Sequence, residues 1–263
     1  MTKHLQLIGA FVAQFLKARM AYRVDFFMSI ATSVLTTALS FVFILVIFDK
    51  VSALDGWSFY EVLFIYGFAL IPTALFSLIS SNFWFFGDKY IIEGAFDRIL
   101  LRPLHSLYQI FFESFRIEAL PDILVGVYLV WYAAHGAGTP LSPFDWPILI
   151  GLALCGTFLL IAVFTIVTSL NFWMEDRIGI GAPLYNMIAL GRYPITLYNN
   201  VLKLILSSAI PFAYVAFYPS TWFLERKQFA TYVYLTPLVT LGFCAFALFV
   251  WSQGVKRYGS TGN

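Results

Sequence analysis

The residues able to do chemistry are few, and their spacing does not suit the making or breaking of bonds. No Gly-x-x-x-x-Gly-Lys-Ser/Thr is present, so the chain has no P-loop to cradle ATP. His4, His105 and His135 stand apart, with no His-Glu-x-x-His and no close Cys/His cluster to hold a metal. No histidine has an acid five residues downstream, as His-x-x-x-x-Asp acyltransferases need, and no serine sits in a Gly-x-Ser-x-Gly elbow. Cys155 and Cys244 each lie inside an apolar run and are expected to be buried thiols without a disulfide. What remains is the chemistry of recognition. In residues 88–105, charges (Asp88, Lys89, Glu93, Asp97, Arg98, Arg102) alternate with an apolar stripe of Ile92, Phe96, Ile99, Leu100 and Pro103. Asp97 can cap or begin a short helix there, and Pro103 ends it. Such a helix suits docking into a groove of a partner protein; a solvated connector resting on headgroups is the alternative. Asp122 is the acid nearest a hydrocarbon region. It is either a functional intramembrane acid or an interfacial acid favouring a helix N-terminus, and Pro121 beside it can kink that helix.

The elements that must carry these residues follow from composition. Of 263 residues, 60% are hydrophobic and 11% are charged. A soluble domain carries roughly a quarter charged residues, so the chain reads as an all-α integral membrane protein rather than a soluble, disordered or disulfide-stapled one. The net charge of +2 argues against nucleic-acid binding. Long charge-free stretches predict spans at 25–48, 61–87, 118–134, 147–174 and 229–252. Trp57, Trp84, Trp131, Trp146, Trp173, Trp222 and Trp251 fall near their ends, as amphipathic rings prefer. Lys3, Lys17, Arg19 and Arg23 precede the first span; Lys89, Arg98, Arg102 and Arg116 lie in the 88–116 loop; Lys256 and Arg257 end the last. The positive-inside rule therefore puts both termini and the 88–116 loop in the cytoplasm, which demands an even number of spans, six. Residues 3–23 have the periodicity of an interfacial amphipathic helix. The fifth span lies in an ambiguous region. Either 204–217 crosses, or 178–192 crosses and 193–222 dips in and returns, broken at Pro194, Pro211 and Pro219. Arg192 and Lys203 acquire no role from either pattern.

At this point the chain resembles a known family. Glu93-Gly94-Ala95-Phe96-Asp97-Arg98-Ile99-Leu100-Leu101-Arg102-Pro103-Leu104 is similar to a motif of ABC-2 type transporter permeases, and more narrowly of a bacterial subfamily of ABC exporter transmembrane subunits. Tyr22-Arg23-x-Asp25-Phe26, Gly191-Arg192-Tyr193-Pro194-Ile195 and Ile210-Pro211-Phe212-Ala213-Tyr214 agree in order and spacing. The resemblance implies a single transmembrane domain with six spans, a cytoplasmic coupling helix and an outer re-entrant helical hairpin, and so favours 178–192 as span five and 193–222 as the hairpin. It implies coupling to an ATPase through Glu93, Gly94, Phe96, Asp97, Arg98, Ile99, Leu101, Arg102 and Pro103, with Phe96, Ile99 and Leu101 as apolar anchor. Tyr193, Pro194, Pro211, Tyr214 and Pro219 would form the outer hairpin or gate. Movement would pass from the loop into spans two and three. The expected partners are two ABC ATPase subunits, a second permease as homodimer or related heterodimer, and membrane lipids. This chain would bind no cofactor and catalyse nothing, ATP and Mg belonging to the ATPases. The expected location is the bacterial inner membrane, and the expected substrate amphipathic, lipid-like or drug-like. A secondary transporter or channel without an ATPase is the alternative.

Overall fold

Sustained apolar runs satisfy their backbone in a membrane as helices, and helices are what form. The computed structural model describes residues 23–113, 115–174 and 181–259, and among these the only β pairing is a bridge between Leu54 and Trp57. The helices, in order, are α1 (Arg23–Lys50), α2 (Phe59–Ile79), α3 (Ala95–Leu100), α4 (Ser106–Glu113), α5 (Leu120–Gly136), α6 (Asp145–Ser169), α7 (Gly181–Ile188), α8 (Asn200–Leu204), α9 (Phe217–Phe223) and α10 (Ala230–Arg257). Five of them, α1, α2, α5, α6 and α10, are long and apolar enough to cross a membrane. The expected interfacial helix at 3–23, except Arg23, and Arg177 lie outside the described residues.

The hub is α2, buried along most of its length. It starts cleanly because Ser58 and Glu61 form a reciprocal capping box, the Ser58 amide donating to Glu61 Oε2 at 2.9 Å. Against it packs α5, and the crossing is made by two glycines: a Cβ on Gly126 would come within 2.8 Å of the Gly67 carbonyl oxygen. In a membrane, where lipid is as apolar as leucine, such small-residue contacts let backbones approach and van der Waals packing hold them. On the other side α6 packs on α10, where the Thr240 hydroxyl donates to the Cys155 carbonyl at 3.3 Å. The outlier is α1. Among its described side chains only Ile44 is fully buried, and Val34, Leu35, Leu39 and Phe43 are exposed. Pro121 falls in the first turn of α5, where a missing N–H costs little, so it starts that helix rather than kinking it.

The bundle has two ends. One carries Trp57: the Arg226 guanidinium lies 4.7 Å over the Trp57 ring, pairs with Glu61 at 2.7 Å and donates to the Gly56 carbonyl at 2.9 Å. The other carries Trp251, whose indole donates to Ser106 Oγ at 3.0 Å. Between them, residues 181–224 depart from the sequence expectation in two ways. A continuous helix over 178–192 is not found. The described part is the eight-residue α7 and a 3-10 turn, Ala189–Arg192, with residues 178–180 outside the description. The residue before Pro194 is forced out of the helical region, and Tyr193 is accordingly extended at ψ 159°. Even so, the stretch runs from one end toward the other, because Tyr185 meets Trp84 while Thr196 accepts from the Trp57 indole at 3.0 Å. The second departure is Pro219. It occupies the first turn of α9, where proline is tolerated, and breaks nothing.

Candidate functional site

The first candidate surface is the segment around α3. Its entry is irregular, a 3-10 turn Ser81–Phe85 followed by a π-helix Phe86–Ile92. Gly94 then adopts φ 69°, a left-handed conformation that glycine takes at least cost, and it, not Asp97, is the cap of α3. The exit is held by Gln109 of α4, whose side-chain amide donates to the Ile99 and Leu104 carbonyls at 3.0 and 2.9 Å. These constraints orient the helix and correct one expectation. Phe96 and Ile99 face inward and are buried. Phe96 sits in a cage of rings, 5.2 Å from Phe172 and 5.0 Å from Tyr258, with Phe86 and Trp251 completing it. They are not free to anchor a partner. The exposed apolar side chains are Leu101, at 84% exposure, with Leu104, Leu100 and Ile92, and beside them Glu93, Arg98, Arg102 and Pro103 are also exposed. Asp97 is half-buried and turned toward Tyr258, where burial first and the carboxylate second push the phenol up to about 12. Phe172 follows α6 and Trp251 belongs to α10, so the segment is tied to the ends of α6 and α10 and not only to α2 and α5.

The second is the pair of helical segments Asn200–Ala209 and Phe212–Phe223, bent by 73° at their junction. The elbow is Pro211, which cannot donate to a helical ladder. Both flanks lie at the Trp57 end, Thr196 bonded to Trp57 before the pair and Arg226 to Glu61 after it. The elbow lies deep. The Phe212 carbonyl rests against Gly191, and the Val215 carbonyl against Gly156, which faces Pro72 of α2. Tyr214 is buried beside Tyr218, which stacks on Tyr232 of α10 with ring centroids 4.4 Å apart and shares a 2.8 Å hydrogen bond with Ser207. Tyr193 and Pro194 stand ahead of the pair, at the top of the stretch that begins with α7.

The third was not assembled from sequence. A cavity of about 550 Å³ opens between α1, α2 and α7, with Asp25, Arg116, Asp122 and Arg192 among its lining residues. Asp122 lies in the first turn of α5, yet its oxygens accept from Ser33 at 2.7 Å and Thr37 at 3.0 Å. Those two residues are the eleventh and fifteenth of the 28 in α1, so the acid is held about halfway along a membrane-length helix. Asp122 thus stands at a helix start and beside the middle of α1 at once, because α5 begins alongside the middle of α1 rather than at its end. Tyr66 closes the group, its hydroxyl donating to the Thr37 carbonyl at 3.1 Å. A signal was present: Ser29, Thr32, Ser33, Thr36, Thr37 and Ser40 recur at helical spacing on one face of α1.

Five apolar spans, an exposed charged segment around α3 and a polar cavity beside a bare helix describe a transport subunit without saying whose. The family model described as ABC-2 family transporter protein matches residues 34–262. The chain belongs to the ABC-2 transporter family. It is thus a multi-pass membrane protein and a permease subunit of an ABC exporter, and its family associates with ABC ATPase subunits. Membership sets aside the secondary transporter and channel as alternatives. No match was found among curated proteins or among solved structures.

Proposed function

We propose that the chain is one of two permease subunits that carry an amphipathic, lipid-like or drug-like substrate outward across a bacterial inner membrane. Two ATPase subunits would drive it from the cytoplasm. The observation that carries this reading is the two-faced α3: Leu101 and Arg102 outward, Phe96 locked into the rings of Phe172, Trp251 and Tyr258. A push on the outer face would pass as a rigid-body movement into α6 and α10 as well as the spans flanking the loop. The substrate path would run at the interface of two permeases, along the cavity lined by α1, α2 and the stretch from α7 to Arg192. The bare face of α1 is suited to a second permease, of the same chain or a related one.

The coupling test uses the full chain co-expressed with a candidate ATPase. Leu101→Asp with Arg102→Glu is expected to lower ATPase retention and stimulated hydrolysis roughly tenfold or more, because charge reversal and lost apolar contact coincide at a small interface. Retention at the wild-type level would overturn the coupling role. Topology has its own test. In a Cys155→Ala, Cys244→Ala background, Asn199→Cys and Lys227→Cys are both expected to react with an impermeant thiol reagent from outside the cell. Support comes from both flanks of the 73° bend lying at the Trp57 end. Labelling of position 199 only after permeabilisation would sink the outer re-entrant hairpin.

A further inference from the structure

The cavity beside α1 carries chemistry that permease membership does not specify. Its described charged lining is balanced, with two acids and two bases. Asp25, in the first turn of α1, and Arg116, whose amide bonds the Leu78 carbonyl at 2.9 Å, stand toward the Trp251 end. Asp122 and Arg192 stand deeper.

The two deep charges are differently provided for. Asp122 already receives the Ser33 and Thr37 hydroxyls. Arg192 Nε is buried and has no hydrogen-bond partner among the described residues, and no carboxylate there lies within ion-pair distance of the guanidinium. A guanidinium keeps its charge and at membrane depth is costly unless an anion or several acceptors face it. Arg192 lines the cavity, so a ligand there can supply the anion that its guanidinium lacks among the described residues.

The opposite wall has the complementary character. Thr32 donates to the Met28 carbonyl at 2.8 Å, Thr36 to the Thr32 carbonyl at 2.8 Å, and Thr73 to the Ala69 carbonyl at 2.7 Å. A hydroxyl that has given its one proton away offers only lone pairs. With Asp122 among them, these residues make an acceptor wall, suited to a group rich in N–H. A purely anionic ligand would meet Asp122, and a purely cationic one would meet Arg192. The cavity also opens beside apolar surface, since Met28 lines it and is 62% exposed, with Leu35 exposed on the same helix.

We propose that this cavity recognises the zwitterionic headgroup of an amphiphile, its ammonium on Asp122 and the α1 hydroxyls and its phosphate or carboxylate on Arg192. The proposal rests on the exporter reading above and names its class of cargo.

The test measures binding by the full-length chain in maltoside micelles and needs no ATPase. The probes are dihexanoyl phosphatidylethanolamine, dihexanoyl phosphatidylglycerol, dodecylammonium and chain-free glycerophosphoethanolamine. The zwitterionic lipid is expected to bind at least tenfold tighter than the anionic or cationic amphiphile, and tighter than the chain-free headgroup. Asp122→Asn should shrink its advantage over phosphatidylglycerol to under threefold. Arg192→Gln should do the same against dodecylammonium, and Arg192→Lys should restore most of the loss. Elution and melting of each variant are checked first, and Arg192→Met serves as the neutral variant if Gln does not fold. Equal binding of the three amphiphiles, or both substitutions leaving the preference intact, would overturn the proposal. Equal binding of the chain-free compound would overturn the amphiphile assignment. The outcome is separable from the exporter reading, which stands or falls on ATPase retention by the Leu101 and Arg102 variants.

Discussion

Gly126→Leu is expected to leave little folded protein after detergent extraction. The Cβ alone would come within 2.8 Å of the Gly67 carbonyl oxygen and 3.1 Å of Leu70 Cβ, and backbone on the far side cannot rotate away. From the other helix, a Cβ at Gly67 would lie 2.7 Å from Leu129 Cβ, so both partners are already in contact. Overfilling a packed contact costs about 1–3 kcal/mol, which is the expectation for Gly126→Ala. Leucine adds a branched side chain with no space on either side and would separate α2 from α5. Because α2 is also the surface on which α6 and α9 pack, the loss would spread through the bundle. Gly151→Leu is the control, since a Cβ there meets nothing within 4 Å. Fluorescence-detected elution and thermal melting decide the matter: a monodisperse Gly126→Leu protein melting with the Gly151→Leu control would refute the close crossing.

Phe96→Ala is expected to be the most damaging single truncation in the loop, and for a reason unrelated to partner contact. The ring has no exposed surface and touches four other aromatic residues. Removing a fully buried phenylalanine costs about 3–5 kcal/mol, from lost burial and from the cavity left behind. Leu101→Ala, five residues on and 84% exposed, is expected to change stability by no more than about 0.5 kcal/mol while weakening ATPase retention. Melting temperature and ATPase retention, measured on both variants, separate the two roles. If Phe96→Ala melts like wild type, the aromatic cage is not what holds α3.

The spans were legible because the hydrocarbon core penalises charge, and counting residues between charges measures that penalty directly. The same count hid the cavity. Serine and threonine do not interrupt a charge-free run, so six hydroxyls on one face of α1 passed as part of an apolar span. They were visible to periodicity but not to hydropathy. Arg192 was visible only as an unplaced charge. Its neighbours in the cavity come from α1, α2 and the start of α5, which no local pattern brings together.

The α3 segment shows the limit from another side. The sequence contains an apolar stripe, and a stripe predicts that something covers it. Whether the cover is a partner or the chain's own Phe172, Trp251 and Tyr258 depends on residues more than seventy positions away. A helix of six residues has too few turns for periodicity to separate an inward face from an outward one.

By itself, then, the sequence determined the solvent, the number of long apolar helices and the lack of a P-loop, since these follow from composition along a line. Only the tertiary structure decided that Phe96 faces home, that Asp122 reaches the middle of α1, and that the bent pair returns to the end it came from. Those are contacts between segments remote in the chain, set by which backbones can approach at Gly67, Gly126 and Gly156. Close packing is a property of surfaces in space, and one residue order is compatible with many of them until the helices meet.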